Sequence, residues 1–297
     1  MVAARKRKEA GTMAIINGTG GNDTIRTVAA GGRPGGLPHA TDDGDTIFTN
    51  AGNDLVVAGA GDDLIDGGDG NDTLNGGAGE DSISGGVGAD LIHGGADHDT
   101  ISTGANSPTS GSDVAFGDDG DDDITGATNA GGNFVYLFGG AGNDTIRGNG
   151  LTGNLADYAD RALAVVANLE IGIATVGGSE TDTLVNVRGI RTGAGNDQIT
   201  GSTGNDVILP GLGHNVADGA GGTADRLSYA DLGAGVTVDL LNGFATKSGD
   251  GSTDTISGFE IVQGTNQADT LLGSNGDDDL RPMAGADVLD GRGGYDT

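Results

Sequence analysis

From Thr41 onward short polar stretches alternate with single aliphatic residues at a period of nine. Acidic positions recur at Asp45, Asp54, Asp63, Asp72, Asp81, Asp90 and Asp99, and two residues after each stands Ile47, Val56, Ile65, Leu74, Ile83, Ile92 or Ile101. Ile, Leu and Val make up 56 of the 297 residues, so this register would arise by chance roughly once in a hundred thousand. The best-formed units, Gly67-Gly68-Asp69-Gly70-Asn71-Asp72-Thr73-Leu74-Asn75 and Gly76-Gly77-Ala78-Gly79-Glu80-Asp81-Ser82-Ile83-Ser84, read GGxGxDxUx with U aliphatic.

The pattern predicts local structure. Glycines such as Gly59, Gly61, Gly68, Gly70, Gly77, Gly79, Gly86 and Gly88 allow positive φ and close backbone approach, so six residues make a tight turn whose carbonyls converge. The sixth-place Asp adds a carboxylate there. The other three residues form a short strand, with the middle side chain inward and its neighbours outward. Two turn-and-strand units close a coil of about 18 residues, and coils stack about 4.8 Å apart as parallel strands. Asp45, Asp63, Asp81 and Asp99 then line one edge, and Asp54, Asp72 and Asp90 the other.

The register returns after a short insertion at Asn106–Ser110, at Asp113, Asp122 and Asp144, then at Asp197 and Asp206, and again at Asp269, Asp278 and Asp287. An early unit, Gly21-Asn22-Asp23-Thr24-Ile25, stands alone. A longer repeat joins these blocks. Asp157-Tyr158-Ala159-Asp160, Ala174-Thr175 and Asp182-Thr183-Leu184 match Ser228-Tyr229-Ala230-Asp231, Ala245-Thr246 and Asp254-Thr255-Ile256, at an offset of 71 and then 72. Val165, Val166, Val236 and Val238 read as strand core there. The alternative for each copy is an independent globular domain, which its shortness and few aromatics disfavour.

Composition narrows the picture. Aromatics are 3%, Trp and Cys are absent, and Gly is 62 of 297, so the core is thin and collagen is excluded. Of the 44 acids 39 are Asp, the short carboxylate that suits turns. The net charge of -30 repels phosphates and anionic lipids, so nucleic acid is not an expected partner and a multivalent cation is. No apolar run is long enough for a spanning helix. Absence of Cys fits either a reducing compartment or a secreted protein held by metal. HExxH, GxSxG, P-loop and Cys/His arrangements do not occur, and the chain is read as non-catalytic. His39, His93, His98 and His214 lack zinc-ligand spacing; His93 and His98 read as exposed. Of the acids 118–123 only Asp122 reads as a ligand, the rest as solvated charge.

The units resemble the nonapeptide of the repeats-in-toxin (RTX) family, and the resemblance runs through most of the chain from Asn17. It implies an all-β fold, a right-handed parallel β-roll or β-solenoid with calcium-binding turns. Calcium, several ions per chain, suits turn carbonyls plus Asp better than magnesium does. The implied ligands are Asp54, Asp63, Asp72, Asp81, Asp90, Asp99, Asp122, Asp144, Asp197, Asp206, Asp269, Asp278 and Asp287, with the glycines named above. An ion between units n and n+2, as in the family, gives about five ions in the seven-unit run. The longer repeat looks like the wider coils between nonapeptide blocks, with longer strands and fewer metal sites.

The resemblance further implies a secreted bacterial protein that folds on meeting extracellular calcium, with the type I secretion machinery as a partner. The C-terminal export signal of that route is not visible at Gly294-Tyr295-Asp296-Thr297, so either the chain is truncated or the export expectation fails. The alternative is a calcium-binding and secretion module of a larger secreted protease, lipase or polysaccharide-modifying enzyme. A surface-binding adhesin would need a regular Thr/Asn array, yet the third and fifth turn positions pair as Thr and Asn only at Thr203 and Asn205.

The expected organisation is a disordered leader at 1–16, a degenerate repeat region at 17–40, a nonapeptide roll at 41–102 and its continuation with an inserted loop at 103–150. Two longer-coil modules, each ending in nonapeptides, follow at 151–224 and 225–297. Weak or absent metal sites are expected at Asp45, whose turn has Ala40, Thr41 and Asp43 in place of its glycines, at Asp99, where Asp97 replaces a glycine, and at Asn215, which replaces Asp. The coil at 130–138 has Val135 in place of Asp and is expected to hold its shape without metal.

Overall fold

The computed structural model describes residues 15–18, 20–21, 23–26, 43–106, 111–129, 134–150 and 153–297. Every regular element among the described residues is a strand. Two long sheets run through the described residues, and each nonapeptide coil contributes one strand to each of them. The pairing is parallel with the predicted step of 18: Ile47 lies beside Ile65, Ile65 beside Ile83, and Ile83 beside Ile101 in one sheet. In the other, Val56 lies beside Leu74 and Leu74 beside Ile92. The protein is thus a parallel β-roll.

Short strands such as Leu64–Asp66 and Ser82–Ser84 bury only their central residue, as alternation requires. The core is therefore two facing columns of aliphatic side chains. Ile47, Ile65, Ile101, Ile124 and Ile146 stand in one, and Val56, Leu74, Ile92, Leu137, Ile190, Ile208, Leu227 and Val262 in the other, all at most 1% exposed. Each such burial contributes about 1.5–3 kcal/mol, and the columns hold the two sheets together. Insertions between blocks leave the columns intact, because Ile101 pairs with Ile124 and Ile124 with Ile146. Val135 is fully buried in the coil without an Asp, and Leu137 keeps its inward place beside Ala115.

The 71-residue repeat has strands longer than the three-residue nonapeptide strands of the same sheet, and it adds an antiparallel element to the roll. In each copy three strands of four to six residues form an antiparallel meander within one sheet: Val165–Asn168, Ile173–Val176 and Glu180–Val185, then Val236–Asp239, Phe244–Lys247 and Thr253–Ser257. The outer strands of each meander pair in parallel with the flanking coils, which passes the roll through without a break. Val165, Val236 and Val238 are buried, but Val166 is 49% exposed. Alternation sends Val165 and Ala167 inward, so the residue between them faces out. Leu289, in the last strand, is also half exposed, with a coil on one side of it only.

The segment read as a leader overlaps the fold at its end, where Ile15–Asn17 pairs with Thr46–Phe48. Residues 1–14 and 27–42, including most of the degenerate region, lie outside the described residues.

Candidate metal centre

Each turn is shaped by its glycines. Gly68 and Gly70 have φ of 85° and 144°, and a Cβ on either would fall on a backbone carbonyl oxygen of the preceding coil, that of Asn50 or Gly52. Gly59, Gly61, Gly77, Gly79, Gly86 and Gly88 also have positive φ. Asn50, Asp97 and Asp118 stand in place of glycine at φ of 73°, 79° and 74°. Asn and Asp tolerate this region better than other side chains, so the turn persists. The replacement at Asp97 leaves the neighbouring Asp99 in the same arrangement as its regular counterparts.

That arrangement is a ladder. The backbone N–H of each sixth-place Asp donates to Oδ1 of the Asp in the next coil: Asp54 to Asp72 at 2.8 Å, Asp63 to Asp81 at 2.8 Å, Asp72 to Asp90 at 2.9 Å, and Asp81 to Asp99 at 2.9 Å. It continues from Asp99 to Asp122 at 2.8 Å, Asp122 to Asp144 at 2.9 Å and Asp144 to Asp182 at 2.9 Å. These residues are nearly fully buried. The second oxygen, Oδ2, of Asp54, Asp63, Asp72, Asp81, Asp90, Asp99, Asp122, Asp144 and Asp197 is buried and accepts no hydrogen bond. It lies in the turn beside the first-place glycine, so that a Cβ on Gly67 would come within 2.7 Å of Asp72 Oδ2.

Asn215 reports what that position seeks. Its Nδ2 occupies the side-chain end that is Oδ2 in the aspartates, and it donates to the carbonyls of Pro210 at 2.6 Å and Leu212 at 3.0 Å. The turn therefore directs carbonyl oxygens at this end, where an aspartate would add a further oxygen. Oxygens without a proton or cation between them repel, and burial worsens the imbalance. Burial pushes the carboxyls of Asp63, Asp90, Asp99 and Asp144 up to about 7, and those of Asp72, Asp81 and Asp122 to about 6.

These residues fit calcium. Among the described residues no three His, Cys, Asp or Glu side chains converge on one point, so an ion would be held by ladder carboxylates together with backbone carbonyls. An all-oxygen set of this kind suits calcium, with its tolerant geometry, and not zinc. When bound, the ion supplies the positive charge that lets the unpaired Oδ2 atoms remain ionised while buried.

Not every expected ligand is placed alike. Asp206, Asp269 and Asp278 differ from the regular ladder residues in that their Oδ2 atoms accept hydrogen bonds from their own turns, while Asp206 Oδ1 is buried and accepts none. Ser202, Thr265 and Ser274 replace the second-place glycine, and their amides donate to Oδ2 of those three residues at 2.6, 2.7 and 2.6 Å. Their hydroxyls reach the same carboxylates. Asp197 Oδ1 accepts from Val165 at 2.8 Å, and half-buried Asp287 accepts from Asp269 at 2.9 Å. His98 is exposed, while His93 is half-buried, stacked on Phe116 and 2.9 Å from Asp118. Asp123, read as solvated, pairs with Arg147.

Sequence reasoning missed the tyrosines at the head of the long repeat. Tyr158 Oη donates to Asp182 Oδ2 and Tyr229 Oη to Asp254 Oδ2, each at 2.8 Å and fully buried. Both tyrosines and both aspartates were in the matched segments, and the coincidence of offsets was the available signal.

The profile of the RTX calcium-binding nonapeptide repeat matches residues 15–27, 39–74, 66–101, 109–131, 131–150, 190–217, 255–289 and 263–297, together more than half the chain. The chain belongs to the RTX calcium-binding nonapeptide repeat family. The matched stretches skip 151–189 and 218–254, which hold the first meander and all but the end of the second. No curated protein matches the chain.

Proposed function

We propose that the chain is a non-catalytic, secreted protein whose folding is driven by extracellular calcium. The observation that carries this reading is the file of buried, unpaired Oδ2 atoms from Asp54 to Asp144. Stacking the coils drives carboxylates into a dry edge, and a divalent cation offsets that cost. Where calcium is scarce, repulsion and glycine entropy oppose folding; at millimolar calcium, binding pulls the roll together. Such a device suits a chain that is exported unfolded and must fold outside, which makes type I secretion the matching route. A non-catalytic role is supported by the use of the buried acids, which are bonded to backbone amides of the neighbouring coil.

Equilibrium dialysis with radioactive calcium, with magnesium in excess, tests the binding. About five ions within residues 41–102, and further ions at Asp122, Asp144 and Asp197, are expected. A chain that takes up calcium no better than magnesium contradicts the reading.

A further inference from the structure

The turn at Pro210–Asn215 departs from the ladder in two places at once. Asn215 removes the carboxylate charge, and a lysine supplies a positive one. Lys247, at the end of the middle strand of the second meander, is 1% exposed. Its Nζ donates to the carbonyl oxygens of Gly211 at 3.0 Å and Gly213 at 2.6 Å, and to Asp254 Oδ1 at 2.8 Å. An ammonium has three donors, and all three are used. Asp254 is the ladder residue of the next coil, because its Oδ1 also accepts from the Asn215 amide at 2.9 Å. Gly211 and Gly213 are the second- and fourth-place residues of the turn, with φ of 64° and 81°. One cation thus gathers two turn carbonyls of one coil and the ladder carboxylate of the next.

The rest of the chain sharpens the contrast. Lys247 is the only lysine beyond Lys8, and no lysine or arginine stands between Arg33 and Arg147, the stretch that holds the regular nonapeptides. In the first meander Val176 occupies the equivalent place, pairing with Val165 as Lys247 pairs with Val236. The turn before that meander keeps its ladder residue, Asp144, with Oδ2 unpaired. Lysine and asparagine therefore occur together in one copy, and valine and aspartate in the other.

We propose that Lys247 is a tethered substitute for a calcium ion at the Asn215–Asp254 turn, so that this turn excludes calcium and keeps its shape without it. The proposal rests on the calcium reading of the other turns. It ties this part of the roll together from within the chain, whereas the block before Arg147 depends on ions from outside.

The test compares bound calcium per chain at saturation for the full-length wild type, Asn215→Asp, and the double variant Asn215→Asp with Lys247→Met. The wild type and the single variant are expected to bind the same number, and the double variant one ion more. An extra ion in Asn215→Asp alone, or none in a double variant with the wild-type circular dichroism spectrum, overturns the proposal. Should the double variant not fold, reductive methylation of the wild type decides. Lys247 is expected to react at least tenfold more slowly in the calcium-loaded protein than in denaturant, and equal rates overturn the assignment. A wild type that binds no calcium would overturn the reading of the other turns, and the methylation rates would still judge the lysine.

Discussion

The amide of Asp72 donates to Oδ1 of Asp90 across 2.9 Å, and the two residues are 18 apart in sequence. Each ladder aspartate thus has two duties: one oxygen anchors the preceding coil and the other faces the turn. Asparagine at position 72 keeps an acceptor for the Asp54 amide and loses the charge, whereas alanine loses both. Asp72→Ala is expected to destabilise the calcium-loaded protein by about 1–3 kcal/mol through the stranded amide, in addition to the lost ion. Asp72→Asn should lower the melting temperature only when calcium is present. Thermal unfolding with and without calcium separates the two; equal losses in both conditions for Asn would refute the division of duties.

The raised carboxyls set a pH dependence for the metal-free protein. An acid whose pKa is higher folded than unfolded takes up protons on folding, so its stabilising contribution is present at low pH and is lost as pH rises. For Asp63, Asp90, Asp99 and Asp144, pushed to about 7, and Asp72, Asp81 and Asp122, pushed to about 6, that window runs from about pH 4 to 7. Protein stripped of metal on a chelating resin should therefore show more β-structure at pH 5 than at pH 7.5. Calcium affinity should run the other way, rising with pH as the ligands ionise. More order at pH 7.5 than at pH 5 without metal would refute this assignment.

Glycine substitutions should differ by position. A Cβ on Gly70 collides with the Gly52 carbonyl, whereas Gly251, at φ 73°, meets nothing within 4 Å among the described residues. Gly251→Ala is expected to cost about 1 kcal/mol, the strain of the left-handed region alone. Gly70→Ala should cost several times more and lower the calcium count, because two coils must part. Chemical denaturation in saturating calcium measures both.

Tyr158→Phe and Tyr229→Phe should each destabilise the protein by about 1–3 kcal/mol, since each strands a buried carboxylate oxygen of Asp182 or Asp254. The two effects should be of similar size, as the meanders repeat one another. A neutral result for either, by thermal unfolding, would show that water or an ion replaces the hydroxyl.

Much of the roll was legible because one residue in nine does one job. An inward aliphatic residue two places after each acid left a period that survives insertion, and that period fixed register and edge. The meanders were less legible: Val165 and Val166 look alike in sequence, and only pairing with Ile173–Val176 decides which one faces inward. The metal-site assignment was blurred by the second place of the turn. Ser202, Thr265 and Ser274 are single changes from glycine, but the amide and hydroxyl of each bond the carboxylate of the same turn. Lys247 escaped notice because its partners, Gly211 and Gly213, lie more than thirty residues away and are backbone atoms that no side-chain pattern marks.

The most direct test of calcium-driven folding is far-UV circular dichroism of metal-free protein at neutral pH during a calcium titration, with magnesium as the control. A cooperative coil-to-β transition at roughly 0.1–1 mM calcium, absent with magnesium, is the predicted result. A full β spectrum in chelator, unchanged by calcium, would contradict the account, because the carboxylate ladders would then fold without their cation.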